Sequence, residues 1–252
     1  MRRAGAGLPV EQRQAVDLMR RRRRIAPMPR PPVLANLGPL QQLRAGRLPR
    51  RLVQLVVGLA IYGASMAMII RGALGVIPWD VLHTGLIQYI PVTFGQMSIM
   101  VSLAVLLIWI PLRQMPGLGT IANAFLVGIA ADVTLAVVPP ADDLVARVAL
   151  LLGGIALNGM ATAMYIGSQL GPGPRDGFMT GLSRISGRSI RFVRTAIEVA
   201  VVALGWALGG AVGLGTLLYA AAIGPLAQLM LPWFTVDLRL QLPEAHDVPS
   251  AP

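Results

Sequence analysis

The residues able to do chemistry sit in two stretches that repeat one another. Asp80 and His83 lie in Leu74-Gly75-Val76-Ile77-Pro78-Trp79-Asp80-Val81-Leu82-His83-Thr84-Gly85-Leu86. Arg175 and Asp176 lie in Leu170-Gly171-Pro172-Gly173-Pro174-Arg175-Asp176-Gly177-Phe178-Met179-Thr180-Gly181-Leu182. Both read Leu-Gly-x-x-Pro-x-Asp-x-x-x-Thr-Gly-Leu, and the second follows the first by 96 residues. A carboxylate amid apolar sequence is suited to holding a solute or an ion. It is equally suited to capping the short helix that each proline starts. His83, one turn after Asp80, titrates near neutral pH where water reaches it; the plainer expectation is a satisfied interfacial histidine. Gly171, Gly173, Pro174 and Arg175 could cradle an anion with backbone N–H groups and one guanidinium. The two prolines donate nothing, and Gly-Pro pairs also make ordinary re-entrant turns. Arg194 and Glu198 are spaced to pair on one helical face, with a proton-coupling carboxylate as the sharper reading of Glu198.

These residues must be positioned by long apolar segments, which the same offset relates. Gly58 answers Gly154, Gly63 answers Gly159, and Gly128 answers Gly224. Gly117-Leu118-Gly119-Thr120 answers Gly213-Leu214-Gly215-Thr216. One unit is therefore written twice. The composition is that of a membrane protein: 55% hydrophobic, 13% charged, 28 glycines and a mean hydropathy of +0.65. There is no cysteine, which removes disulfides and thiol chemistry, and two histidines cannot build a histidine-rich metal site. The net charge of +11 is concentrated before Leu52 and includes the run Arg20–Arg24, so a basic nucleic-acid-binding face is not expected.

The expected fold is an all-α polytopic membrane protein with four parts. Residues 1–51 form an Arg/Pro-rich, disordered cytoplasmic arm. Residues 52–140 are the first membrane repeat and 144–234 the second. Residues 235–252 are a short polar tail. Six segments are expected to span, near 52–70, 94–112, 120–138, 144–167, 190–210 and 216–234. Two short helices, near 78–89 and 175–186, are expected to be re-entrant or interfacial. Three spans per repeat is an odd number, so the repeats should be inverted. The arginines at 175, 184, 188, 191 and 194 then lie on the same side as the arm, in accord with the positive-inside rule, with both termini cytoplasmic. Spanning short helices would make the repeats parallel instead. Trp79, Trp109 and Trp233 are expected in interfacial belts. Asn123 and Asn158 are expected to hydrogen-bond between helices. Asp132 is expected to reach Arg147 or external water.

Pro78-Trp79-Asp80-Val81-Leu82-His83, Gly119-Thr120-Ile121-Ala122-Asn123-Ala124, Gly171-Pro172-Gly173-Pro174-Arg175-Asp176-Gly177 and Val193-Arg194-Thr195-Ala196-Ile197-Glu198 resemble the YczE/YyaS/YitT group of bacterial integral membrane proteins. The resemblance covers roughly 52–234 and implies a polytopic protein of the bacterial plasma membrane. Inverted repeats with a broken helical element in each half are the plan of many secondary transporters. The functional expectation is thus a secondary transporter or exporter of a small solute, with Asp80, His83, Arg175, Asp176, Arg194 and Glu198 along its path and Gly75, Pro78, Gly171, Gly173 and Pro174 shaping the helix turns. A non-transporting scaffold for a partner complex is the alternative. No catalytic motif is present, and no enzyme activity, metal or cofactor is expected. The bilayer is the expected partner, with a homo-oligomer left open.

Overall fold

The computed structural model describes residues 38–238; the arginine run and the end of the C-terminal tail lie outside them. The described residues form α1 (Pro39–Arg44), α2 (Leu48–Gly72), α3 (Pro78–Leu86), α4 (Phe94–Trp109), α5 (Leu118–Val137), α6 (Leu144–Gly167), α7 (Pro174–Ser186), α8 (Ile190–Ala207) and α9 (Leu214–Phe234), with no strand among them. Prolines open α3 and α7 at a first-turn position, where the missing N–H costs nothing. Thr93, Asp143 and Ser189 cap α4, α6 and α8 by accepting from Gln96, Ala146 and Phe192 N–H. Four helices, α2, α5, α6 and α9, are long and apolar enough to cross a membrane. The α4 helix is apolar but shorter, and α8 carries Arg191, Arg194 and Glu198. The chain is accordingly a multi-pass helical membrane protein.

The core runs along α2, α5, α6 and α9 and includes Leu55, Leu59, Met66, Ile69, Val127, Leu151, Ile155, Tyr219 and Ile223. Lipid removes the hydrophobic drive between helices, leaving close packing and interhelical hydrogen bonds as the adhesive. Both are visible between α2 and α6. A side chain at Gly58 would collide with Met164, and one at Gly154 with Ile69. Asn158 donates to Ser65 Oγ at 2.8 Å and accepts from Tyr219 OH at 2.7 Å, tying α6 to α2 and α9 as expected.

Two arginines clasp the ends of this pair. Arg51, in the first turn of α2, donates to Ser168 O and Gln169 O, each at 2.7 Å, past the end of α6. Arg147, in the first turn of α6, donates to Gly72 O at 3.0 Å and to Ala73 O, past the end of α2. Each satisfies carbonyls that a helix end leaves open, and the reciprocity means that α2 and α6 run antiparallel. Two expectations change here. The boundary drawn at 51 falls inside α2, because Arg51 is fully buried as an anchor rather than part of an arm. Arg147 is committed to carbonyls, so Asp132 does not pair with it. Asp132 instead accepts from Gly95 N–H at 2.7 Å and from Thr93 Oγ1, binding the start of α4 to α5.

The two motif loops cross between the halves. Gly119 N donates to Leu170 O, and Gly215 N donates to Leu74 O, both at 2.7 Å. Gly75 and Gly171 precede the short helices at φ +114° and +118°, a region that a Cβ disfavours. A Cβ there would also strike the backbone of Gly213 or Gly117. The repeated glycines are thus required by both conformation and contact.

Candidate functional site

The crossed loops bring α3 and α7 to one polar centre. Asp80 and His83 are 0% exposed, and Asp80 Oδ1 lies 3.1 Å from His83 Nδ1. It also lies 3.9 Å from Arg175 Nη2. The Arg175 guanidinium stands over the Trp79 ring, 5.1 Å from its centroid. Despite these contacts, neither Asp80 oxygen, neither His83 nitrogen nor Trp79 Nε1 has a hydrogen-bond partner among the described residues. A buried polar group left this way costs about 1–3 kcal/mol, and a charged one more. Three such residues fall on one short helix, a concentration that packing alone does not explain. His83 is therefore not the satisfied interfacial histidine expected; it is enclosed, with its edge against Phe94.

The other motif is better satisfied. Asp176 accepts a hydrogen bond from Tyr165 OH. Arg194 donates to Glu198 at 2.9 Å, forming the expected pair. Arg175 makes no hydrogen bond among the described residues and keeps a side chain 17% exposed.

Three spaces surround these groups. A cavity of about 50 Å³ is lined by Tyr62, Ser98, Ser102, Asn123, Gly173, Arg175 and Asp176. One of about 60 Å³ is lined by Trp79, Arg175, Asp176, Arg194, Glu198 and Tyr219. A cleft of about 220 Å³ is lined by Tyr62, Thr162, Tyr165, Asp176, Arg194, Tyr219, Gly224 and Gln228, so it lies among α6, α8 and α9 and reaches Asp176. A buried water needs about 10–15 Å³ of such space and two to four polar partners, so the two small cavities suit a few waters or a small polar solute. Among the described residues, no cluster of His, Cys, Asp and Glu suits a metal ion.

Of the six site residues expected from sequence, Arg175, Asp176, Arg194 and Glu198 line these spaces, and Asp80 and His83 lie enclosed beside Arg175. Gly75, Pro78, Gly171, Gly173 and Pro174 form the turns that deliver them. Two expectations fail. Trp79 and Trp109 are not belt residues but are buried, the first beneath Arg175 and the second donating to Pro174 O at 3.0 Å. Of the three, Trp233 is exposed as a belt residue would be. Tyr62, Ser98, Ser102, Tyr165 and Tyr219 were not singled out by motif. A signal existed for most: Tyr62 with Asn158, Ser98 with Arg194, Ser102 with Glu198 and Asn123 with Tyr219 are polar pairs at the repeat offset of 96.

Comparison with known proteins gives the same picture. Residues 49–232 match the model of a "Family of unknown function (DUF6198)". An "Uncharacterized protein" of Haemophilus influenzae is 39% identical over 177 residues, 70% of this chain and 81% of the relative. The "Uncharacterized membrane protein YczE" of Bacillus subtilis is 31% identical, covering 69% of this chain and 82% of the relative. The "Uncharacterized protein YyaS" of the same organism is 29% identical over 70% of this chain and 90% of that one. No solved structure matches the chain. With the family model matched across nearly all the described helices, the chain belongs to the YczE/YyaS family of integral membrane proteins.

Proposed function

We propose that this protein is a secondary transporter of a small solute in the bacterial plasma membrane, with its site where α3 and α7 meet. The observation that carries the reading is the convergence of Asp80 and Arg175, from the two repeated motifs, at 3.9 Å beside polar cavities. Ionisable groups buried in a membrane protein are costly and are retained at solute or ion paths. In this reading α2, α4 and α5 span in one half, α6, α8 and α9 in the other, and α3 and α7 are re-entrant. The halves are inverted, with both termini cytoplasmic. The antiparallel arginine clasp and the crossed motif loops support that arrangement, as does the placement of transporter sites at repeat interfaces. The cleft among α6, α8 and α9 is the side open to solute in this state.

The test uses the full chain in proteoliposomes, with a panel of radiolabelled small carboxylates, amino acids and amines. At least one compound should enter, and Asp176→Asn should abolish its flux while the protein remains folded by circular dichroism. Undiminished flux in that variant contradicts the site. Failure of every compound favours the scaffold reading, which the arginine run before residue 25 motivates. Deleting residues 1–46 would then remove a captured partner complex, whereas a transporter that still inserts keeps its flux.

A further inference from the structure

This inference rests on the transporter reading and concerns how its site is coupled. Asp80 is enclosed with His83 Nδ1 at 3.1 Å and Arg175 Nη2 at 3.9 Å, and among the described residues neither the Asp80 nor the Arg175 side chain makes a hydrogen bond. Of the other charges nearby, Arg194 is paired with Glu198, while Asp176 accepts from Tyr165 OH and is a second carboxylate lining both small cavities. Arg175 also lines both small cavities, where Tyr62, Ser98, Ser102 and Asn123 supply neutral polar groups. It therefore stands between a dry carboxylate on one side and space for a solute on the other.

We propose that Arg175 is a shared cation, neutralising Asp80 in the empty site and a small carboxylate solute in the loaded one, so that the anion binds together with one proton on Asp80. Few groups face Asp80, and Asp176 borders the same cavities as Arg175. His83 lies on its own helix, Arg175 comes from α7, and Tyr62 of α2 and Tyr219 of α9 are within reach of its charge. The neighbour from α4 is Phe94, against His83, and α8 brings the Arg194–Glu198 pair to the cavity beside Arg175. When the solute carboxylate takes Arg175, a buried Asp80 anion has no counter-ion and takes up one proton from solvent hydronium, whose O–H bond breaks as the Asp80 O–H forms. No bond other than the O–H of Asp80 forms, and the net charge of the site is unchanged. Linkage then requires that protons tighten anion binding as much as the anion favours proton uptake.

Infrared spectroscopy of the purified full chain at neutral pH tests the first half without a ligand. Arg175→Gln should show a protonated-carboxyl band that Asp80→Asn removes from the double variant, while unmodified protein and Arg175→Lys lack it. No such band in a folded Arg175→Gln protein, or its presence on Asp80 of the unmodified protein, overturns the proposal. If Arg175→Gln does not fold, adding acetate to the unmodified protein replaces it: the band must then appear. Acetate titrations followed by Trp79 fluorescence (wild type against Trp79→Phe) test the second half, at pH values where acetate stays ionised. The dissociation constant should fall about tenfold per pH unit of acidification in the wild type and lose that slope in Asp80→Asn. Equal slopes in the two proteins overturn the coupling while leaving the transporter reading intact. Absence of acetate, lactate or glycine binding at any pH overturns the anion assignment. Only loss of transport for the entire uncharged, anionic and cationic panel would remove the underlying reading.

Discussion

The two copies of the motif have the same residues at the key positions but opposite surroundings. In α3 the helix lies flush against α8: a Cβ at Gly205 would strike the backbone of Val81 and Leu82, and one at Gly85 would strike Gly205 O. Seven of its nine residues are buried. In α7 the place of Val81 is taken by Gly177, and that of Gly205 by Trp109, whose ring fills the room a side chain at Gly177 would need. The indole holds α7 from its neighbour, and four of the thirteen residues of α7 are buried. Hence Asp80 is dry and lacks hydrogen bonds, whereas Asp176 is hydrogen-bonded and borders a cleft. A duplicated element can thus be fixed in one half and cleft-facing in the other through a swap of one small and one large residue.

A second asymmetry accompanies the first. Gly128 of α5 packs on the backbone of Gly95 in α4, and Asp132 seals the seam. The corresponding positions in the second half are Gly224, Arg191 and Gln228, and nothing lies within 4 Å of a Cβ built at Gly224. The seam closed in the first half is open in the second, which is where the 220 Å³ cleft is found.

Breaking the clasp should give the largest effect. Arg51→Ala removes a fully buried cation and its hydrogen bonds to Ser168 O and Gln169 O. A loss of about 3 kcal/mol is expected, against about 1 kcal/mol for Arg147→Ala, one of whose two acceptors, Ala73 O, belongs to an exposed residue. Thermal unfolding in detergent measures both, and equal losses would refute the difference in burial. Next come the paired glycines. Gly128→Leu should destabilise by about 2–3 kcal/mol through overpacking, while Gly224→Leu should cost less than about 0.5 kcal/mol. If the cleft is the solute route, Gly224→Leu should nonetheless slow flux, and a folded variant with normal flux would place the route elsewhere. An effect between those of the two glycine variants is expected for Asp132→Asn, which keeps one acceptor for Gly95 N–H and should cost about 1 kcal/mol; a cost as large as that of Gly128→Leu would make the seam electrostatic rather than steric.

Much of the scaffold was legible because the offset of 96 preserves glycines and prolines in register. Pro78 and Pro174 located the starts of the short helices, and α6 has the expected limits. The burial of Trp79 and Trp109 was not legible. In a spanning segment both the lipid-facing and the packed sides are apolar, so periodicity does not say which side meets protein. The clasp left a trace that motif reading passed over, since Arg51 and Arg147 are themselves related by the offset and precede apolar runs of similar length. The open seam had no such trace: Gly128 and Gly224 are the same residue, and their difference depends on what the neighbouring helix brings against them.

The most direct measurement for the central claim is the sidedness of the two motifs. Tyr89 follows α3 and Ile185 lies near the end of α7; they correspond by the offset and both are exposed. The chain has no cysteine, so Tyr89→Cys and Ile185→Cys can each be labelled in intact cells with a membrane-impermeant thiol reagent. The account predicts labelling at position 89 in intact cells and at position 185 only after permeabilisation. Labelling of both from the same side would mean parallel halves, and would contradict a site shared between inverted repeats.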